Sequence, residues 1–207
     1  MTIVREVTFE IRARASVAIV GPSGAGKSTL LALLAGLDTP SSGKVWLAGE
    51  DLTVLDEDGR ATLRAARVGF VFQSFHLVPS LTALENVMLP LELNRRRDAE
   101  AAAQMMLARV GLAARAGHYP KQLSGGEQQR VAMARASVGA PVVLFADEPT
   151  GNLDAVTGER IIQLLFDLNK DADTTLVLVT HDRALASRCQ RVLTMDSGAL
   201  VDSGAPS

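Results

Sequence analysis

Nine consecutive residues, Gly21-Pro22-Ser23-Gly24-Ala25-Gly26-Lys27-Ser28-Thr29, have the types and spacing to hold a phosphate chain. Glycines let successive backbone N–H groups curl around phosphate oxygens, and a helix N-terminus behind them adds about half a positive charge. Lys27 can reach β- and γ-phosphates, and the Ser28 hydroxyl is placed to ligate magnesium. The flanks agree with that chemistry. Val17 to Val20 reads as a buried strand, and Leu30 to Ala35 is a strong helix former closed by Gly36. A plain glycine-rich turn has no need of this whole pattern between those flanks, so the implied ligand is a nucleoside triphosphate.

A second pair of chemically loaded residues is Asp147-Glu148, at the end of the apolar run Pro141 to Ala146. Adjacent carboxylates at the carboxyl end of a buried strand are costly unless a cation or substrate needs them. Ligands of open α/β sheets bind at that edge. Asp147 is placed to hold magnesium through its water shell, and Glu148 to polarise a water for in-line attack on the γ-phosphate. His181 ends the next buried run, Thr174 to Thr180, and reaches the same edge. It is expected to meet the γ-phosphate or the attacking water, whereas His76 and His118 receive no role.

Leu123-Ser124-Gly125-Gly126-Glu127-Gln128-Gln129-Arg130 opens a helix, because Ser124 and Glu127 stand in the S-x-x-E capping relation. The cap does not explain Gly125 and Gly126, each about 1 kcal/mol worse than alanine inside a helix and less at its end. Paired glycines beside a serine and bare amides suggest close approach by a second anion. One triphosphate is already cradled at 21–29. A second copy packed head to tail would bring this turn onto the first copy's γ-phosphate.

These residues need an α/β frame. Val7, Phe9 and Ile11 alternate within a predicted strand over Thr2 to Ile11, and Lys44 to Ala48 reads as part of an antiparallel edge with Trp46 as a packing residue. Glu57 to Arg67 is predicted helical and Val68 to Phe72 a buried strand ending at Gln73. Residues 74–122 hold prolines 79, 90 and 120 and an alanine-rich helix over Asp98 to Val110, with no strand-like run, so they form an inserted helical lobe. Ile161, Leu165 and Leu168 mark the buried face of a later helix, and Arg191 to Met195 with the turn at 196–198 predicts a last hairpin. The expectation is one domain over 1–207, with core segments 1–73 and 123–207 and the lobe at 74–122.

Composition narrows the classes. A net charge of −2 gives no footprint for nucleic acid, and Arg95-Arg96-Arg97 reads as a solvated helix end. The single cysteine, Cys189, excludes an internal disulfide and suits a reducing cytosol. No apolar run approaches the roughly 18–20 residues of a bilayer span, and no signal segment opens the chain. A membrane role would need another polypeptide, with no direct insertion of this one.

Taken together the motifs resemble the nucleotide-binding subunit of ABC transporters. Gly21 to Thr29 is similar to Walker A, Gln73 to the Q-loop glutamine and Leu123 to Gln128 to the signature motif. Val143 to Glu148 resembles Walker B with its catalytic glutamate, Asn152-Leu153-Asp154 the D-loop, and His181 the switch histidine. The wording Phe70 to Phe75, Leu81 to Val87 and Ala146 to Asp154 is narrower, resembling the lipoprotein-release and macrolide-export group. The resemblance implies a P-loop ATPase of mostly parallel sheet with an antiparallel β edge, using ATP and Mg2+. Ser28, Gln73 and Asp147 would serve the metal, with Glu148, His181 and Gln73 as the catalytic set. Ser124 and Gly126 would act in trans on a partner's nucleotide, with Gly125, Glu127 and Asp154 in the same binding set. It implies a head-to-tail homodimer driving a separate transmembrane permease docked near Gln73 and the lobe, hence a peripheral place on the cytoplasmic face of the membrane. The family also carries a further strand and an adenine-stacking aromatic upstream. The chain begins too near its phosphate loop for either and Phe9 is not expected to substitute, so weak, base-indifferent nucleotide binding is expected.

Overall fold

The computed structural model describes residues 3–202. Five parallel strands, β1 (Ser16–Val20), β4 (Val68–Phe72), β5 (Val143–Asp147), β6 (Thr175–Val179) and β7 (Arg191–Asp196), form a sheet closed by the antiparallel β8 (Ala199–Asp202). The order is β4-β5-β6-β1-β7-β8. Strand side chains alternate faces, and both faces here are covered. Leu144 and Ala146 of β5 join one apolar cluster, while Val143 and Phe145 join the other. That is why β5 and β6 read as unbroken hydrophobic runs rather than as alternation.

One face packs on α1 (Lys27–Leu34), through Leu30 and Leu31. The other packs on α3 (Ala83–Leu93), α5 (Gly125–Ser137) and α6 (Ala155–Asp171), with α4 (Ala99–Arg109) stacked on α3. Three of these four begin at a side-chain cap, whereas Asp98 ahead of α4 makes none. Thr82 with Glu85, and Ser124 with Glu127, form complete capping boxes, and Asp154 caps α6 through the Thr157 amide. Ile161, Leu165 and Leu168 lie buried on one face of α6. Helix α2 (Glu57–Arg67) and the one-turn α7 (Arg183–Ala186) complete the elements, and no strand occurs between β4 and α5.

Two expectations fail at the edge. Residues 3–15 carry no strand, although Val7, Phe9 and Ile11 do alternate and pack half-buried against the core. The alternation chose the apolar side; a strand also needs a ladder partner, and no described strand pairs with this segment. Met1 and Thr2 lie outside the described residues. The expected strand at 44–48 shrinks to β2 (Trp46–Leu47) against β3 (Glu50–Asp51), and Trp46 is 62% exposed rather than packed. Val45 and Leu47 turn inward instead.

Candidate active site

Parallel strands all end at one edge, and the chemistry collects there. Gln73 follows β4, Asp147 ends β5 and Glu148 comes next, and His181 stands two residues beyond β6. The loop after β1 supplies Ser23, Gly24, Lys27 and Ser28, and together these residues line a cavity of about 360 Å³. Of the sequence-derived set, Gly21, Pro22, Ala25, Gly26 and Thr29 shape the loop without lining the cavity.

The loop's shape requires its glycines. Gly24 and Gly26 have φ of 79° and 93°, where a side chain is strained, and a Cβ on Gly26 would come within 2.9 Å of the Ile3 carbonyl. A Cβ on Gly21 would collide with the Met195 carbonyl of β7. Gly26 caps α1 with no side-chain acceptor, and no acidic residue occupies the helix's first turn. The N-terminal amides of α1 therefore keep their partial positive charge for an anion. Lys27 folds back to donate to the carbonyls of Gly21 (2.8 Å) and Pro22 (3.0 Å).

The carboxylates differ in setting. Burial pushes the Asp147 pKa up; a Ser28 hydrogen bond pulls it down, the Glu148 charge adds to the rise, and Lys27 opposes it. Glu148 sits at φ 46°, left-handed backbone that costs an L-residue about 1–2 kcal/mol. Its amide donates to the Val179 carbonyl (2.9 Å), and its Oε1 lies 2.9 Å from His181 Nδ1. Strain of this kind persists where the surroundings hold the residue in a working pose. The arrangement can bind a polyphosphate, polarise a water at Glu148 and present an imidazole beside it.

Three residues in this neighbourhood were given no place in the site by the sequence, although Asn152 and Gly151 lie within motifs it singled out. Asn152 exchanges hydrogen bonds with Gln73 in both directions, its Oδ1 accepting from Nε2 (3.2 Å) and its Nδ2 donating to the Gln73 carbonyl (3.0 Å). Gly151 lines the cavity beneath that side chain, where a Cβ would come within 2.6 Å of Gln73 Nε2. Val179 closes the floor. Phe9 is not among the lining residues.

Ser124, Gly125, Gly126, Glu127 and Asp154 do not join this cavity. Ser124 is exposed, its amide donating to Glu127 Oε2 (2.8 Å) and its hydroxyl to the same oxygen (2.9 Å). These bonds, backbone first, hold the Glu127 carboxyl below its usual range. The paired glycines have partners within the chain. Gly126 is buried, and a Cβ there would meet Thr157 Cγ2 at 2.6 Å; Gly125 faces Leu153 and Phe75. Gly126 thus answers to the packing of α5 on α6, so the glycines by themselves do not call for an external ligand. Asp154 spends its carboxylate on the α6 cap, which holds its pKa down.

The ABC transporter family profile matches residues 4–151. The chain is 55% identical over 202 residues to the ABC transporter ATP-binding protein YbbA of Escherichia coli K12, covering 97% of this chain and 89% of that protein. It is 50% identical over 197 residues to the lipoprotein-releasing system ATP-binding protein LolD of Pseudomonas syringae pv. tomato, covering 94% and 87%. Among solved structures it is similar to the ATP-binding cassette MJ0796 in a dimeric, post-hydrolysis state bound to ADP and Pi. That match has a TM-score of 0.89 and 40% identity, over 98% of this chain and 90% of that one. A matching fold, a phosphate loop at the sheet edge and identity at this level leave one reading: the chain belongs to the ABC transporter family, as one of its ATP-binding ATPase cassettes.

Proposed function

We propose that this cassette closes head to tail with a second copy over two MgATP molecules and drives a separate transmembrane permease in export or in extrusion of a lipoprotein-like substrate. The observation that carries the dimer is the division of the site. The phosphate loop, Asp147, Glu148 and His181 share one cavity, while exposed Ser124 and the α5 N-terminus sit outside it. In this reading the Ser124 hydroxyl and the α5 N-terminus serve a nucleotide held by another copy. The dimeric MJ0796 structures and the LolD relatives support the same reading.

In this reading the loop amides and Lys27 bind the phosphates and orient the γ-phosphate toward Glu148. Glu148 takes the proton of the attacking water, held in pose by His181, which senses the γ-phosphate. Ser28, Asp147 and Gln73 suit Mg2+: hard oxygen donors, few in number, leaving room for phosphate oxygens and water. The raised Asp147 pKa marks a carboxylate whose ionised form a cation would stabilise. Magnesium supplies charge neutralisation at the transferring phosphoryl group.

No described helix is long and apolar enough to cross a membrane, so the permease would supply the membrane contact and hold this chain peripherally on the cytoplasmic face. Its seat would be the apolar groove of about 500 Å³ between β4, α3 and the end of α5, which runs from Leu93 to Phe72, one residue before Gln73.

Glu148→Gln tests the chemistry and the dimer together. It should bind MgATP, hydrolyse it about 10²- to 10⁴-fold more slowly, and elute from a sizing column as an ATP-dependent dimer. Normal turnover would remove Glu148 from the mechanism, and a monomer at saturating ATP would remove the composite site.

A further inference from the structure

The segment after Gln73 is held in an unfavourable shape. Phe75 and His76 have φ of 59° and 48°, left-handed values that an L side chain resists. Local bonds bend the chain there, with Phe75 N donating to the Phe72 carbonyl (3.2 Å) and His76 N to the Ser74 carbonyl (2.6 Å). What holds the bend is a side chain about sixty residues away. Arg135, near the end of α5, donates from Nη1 to the His76 carbonyl (2.6 Å) and from Nη2 to the Phe75 carbonyl (3.0 Å). A fork of two parallel donors suits a guanidinium and no other side chain.

Arg135 is half-buried at the groove between β4, α3 and α5, burial pulls its pKa down, and its partners are carbonyls rather than a carboxylate. A partly desolvated cation without a counter-ion depends on these two acceptors. Its placement is also fixed. The end of α5 packs so close to β4 that a Cβ on Gly69 would strike the Ala136 carbonyl, which seats Arg135 directly beside the strand leading to Gln73. At the other end of the same helix, Phe75 lies against Gly125. Helix α5 therefore grips the Gln73 loop from both ends, one of them the turn that carries Ser124.

We infer that Arg135 is the positioning residue for Gln73: by clamping the Phe75 and His76 carbonyls from α5, it aims the Gln73 amide into the phosphate-loop cavity and ties that aim to the Ser124 turn. This rests on the proposed role of Gln73 toward magnesium. Loss of the clamp frees the Phe75–His76 bend to relax toward ordinary backbone, which leaves Gln73 held only by its exchange with Asn152 and less firmly aimed into the cavity, while the phosphate loop is untouched.

The test is equilibrium ATP binding by Arg135→Met, Arg135→Lys, Gln73→Ala and the Arg135→Met/Gln73→Ala pair, measured in EDTA and again in excess Mg2+. In EDTA all should bind within about twofold of wild type. The gain in affinity brought by Mg2+ should fall about 3- to 10-fold in Gln73→Ala and similarly in Arg135→Met. It should fall less in Arg135→Lys, whose single ammonium cannot bridge both carbonyls, and no further in the double variant. A purely structural Arg135 would weaken binding equally with and without Mg2+, and that result overturns the inference. So does an Arg135→Met loss that adds in full to the Gln73→Ala loss. If Gln73→Ala loses the Mg2+ gain while Arg135→Met keeps it, the clamp alone is wrong; if Gln73→Ala keeps it, the magnesium role of Gln73 falls and the clamp with it. Arg135→Lys, which retains charge and bulk, carries the same comparison with Gln73→Ala should the Met variant fail to fold.

Discussion

Two helix N-termini in this chain look alike in sequence, each glycine-rich and each holding a serine, yet they are built oppositely. Helix α1 starts at a left-handed glycine with no side-chain cap and no acid in its first turn. Helix α5 starts with a complete capping box, and Glu127 places a negative charge over its own amides. The glycines differ as well. Gly24 and Gly26 are needed for positive φ, whereas Gly126 is needed because Thr157 leaves no room for a Cβ. One N-terminus is left unsatisfied for an anion, and the other is satisfied before any anion arrives. The first is therefore built to bind nucleotide alone, and in the proposed dimer the second would add only a hydroxyl and residual dipole to a partner's nucleotide.

The sharpest break between the two is a pair of variants. Lys27→Ala should weaken ATP binding by the separate chain about 10- to 100-fold, as loss of a hydrogen-bonded charge on phosphate does. Ser124→Arg should leave that binding within about twofold yet abolish ATP-driven dimerisation, because a bulky cation replaces a close contact. Titration of nucleotide and sizing with ATP separate the two, and full ATPase activity of Ser124→Arg would end the distinction.

A smaller effect opposes stability to function within the first site. The folded pKa of Asp147 is raised above its unfolded value, so the folded state holds the proton more tightly. Ionising Asp147 then costs stability as pH rises from the unfolded pKa through the folded one. Asp147→Asn should therefore raise, not lower, the Tm of the nucleotide-free protein at neutral pH. It should also lose the Mg2+ gain in ATP affinity. A lower Tm would mean that Asp147 is already compensated in the free chain.

The smallest effect tests the pre-satisfied helix. Glu127→Gln keeps an acceptor for the Ser124 amide and removes the charge, so the α5 dipole should favour an anion by about 0.3–1 kcal/mol more. ATP-driven dimerisation should tighten about 2- to 5-fold. The depressed Glu127 pKa makes the wild-type cap stabilising above its unfolded pKa, and that stabilisation is lost as pH falls through the folded value. The variant should lose less stability in acid than wild type, which thermal scans from pH 7 to pH 3 will measure.

What was legible in the sequence was what neighbours in sequence determine. The phosphate loop, the carboxylates after the β5 run, His181 just beyond β6 and the Ser124–Glu127 cap are local patterns with local causes. The division of the glycines was not legible, since nothing beside Gly126 announces Thr157. The Gln73–Asn152 exchange spans 79 positions and the Arg135 clamp about 60, with no periodicity linking either pair. The segment before β1 shows the converse error: Val7, Phe9 and Ile11 do face the apolar layer as their alternation says, but alternation is silent about a partner strand.

The place of β1 in the sheet has a consequence for how the molecule is made. This strand leads into the phosphate loop, yet it lies between β6 and β7, and Ser16 meets Gln190 across 174 positions of chain. Gly21 is seated against Met195. During synthesis the loop leaves the ribosome early, but its supporting neighbours come last, and such distant pairings are slow to close. A nascent chain therefore carries its nucleotide motif for most of translation without the means to shape it, and ATP can stabilise only a chain whose sheet is already complete.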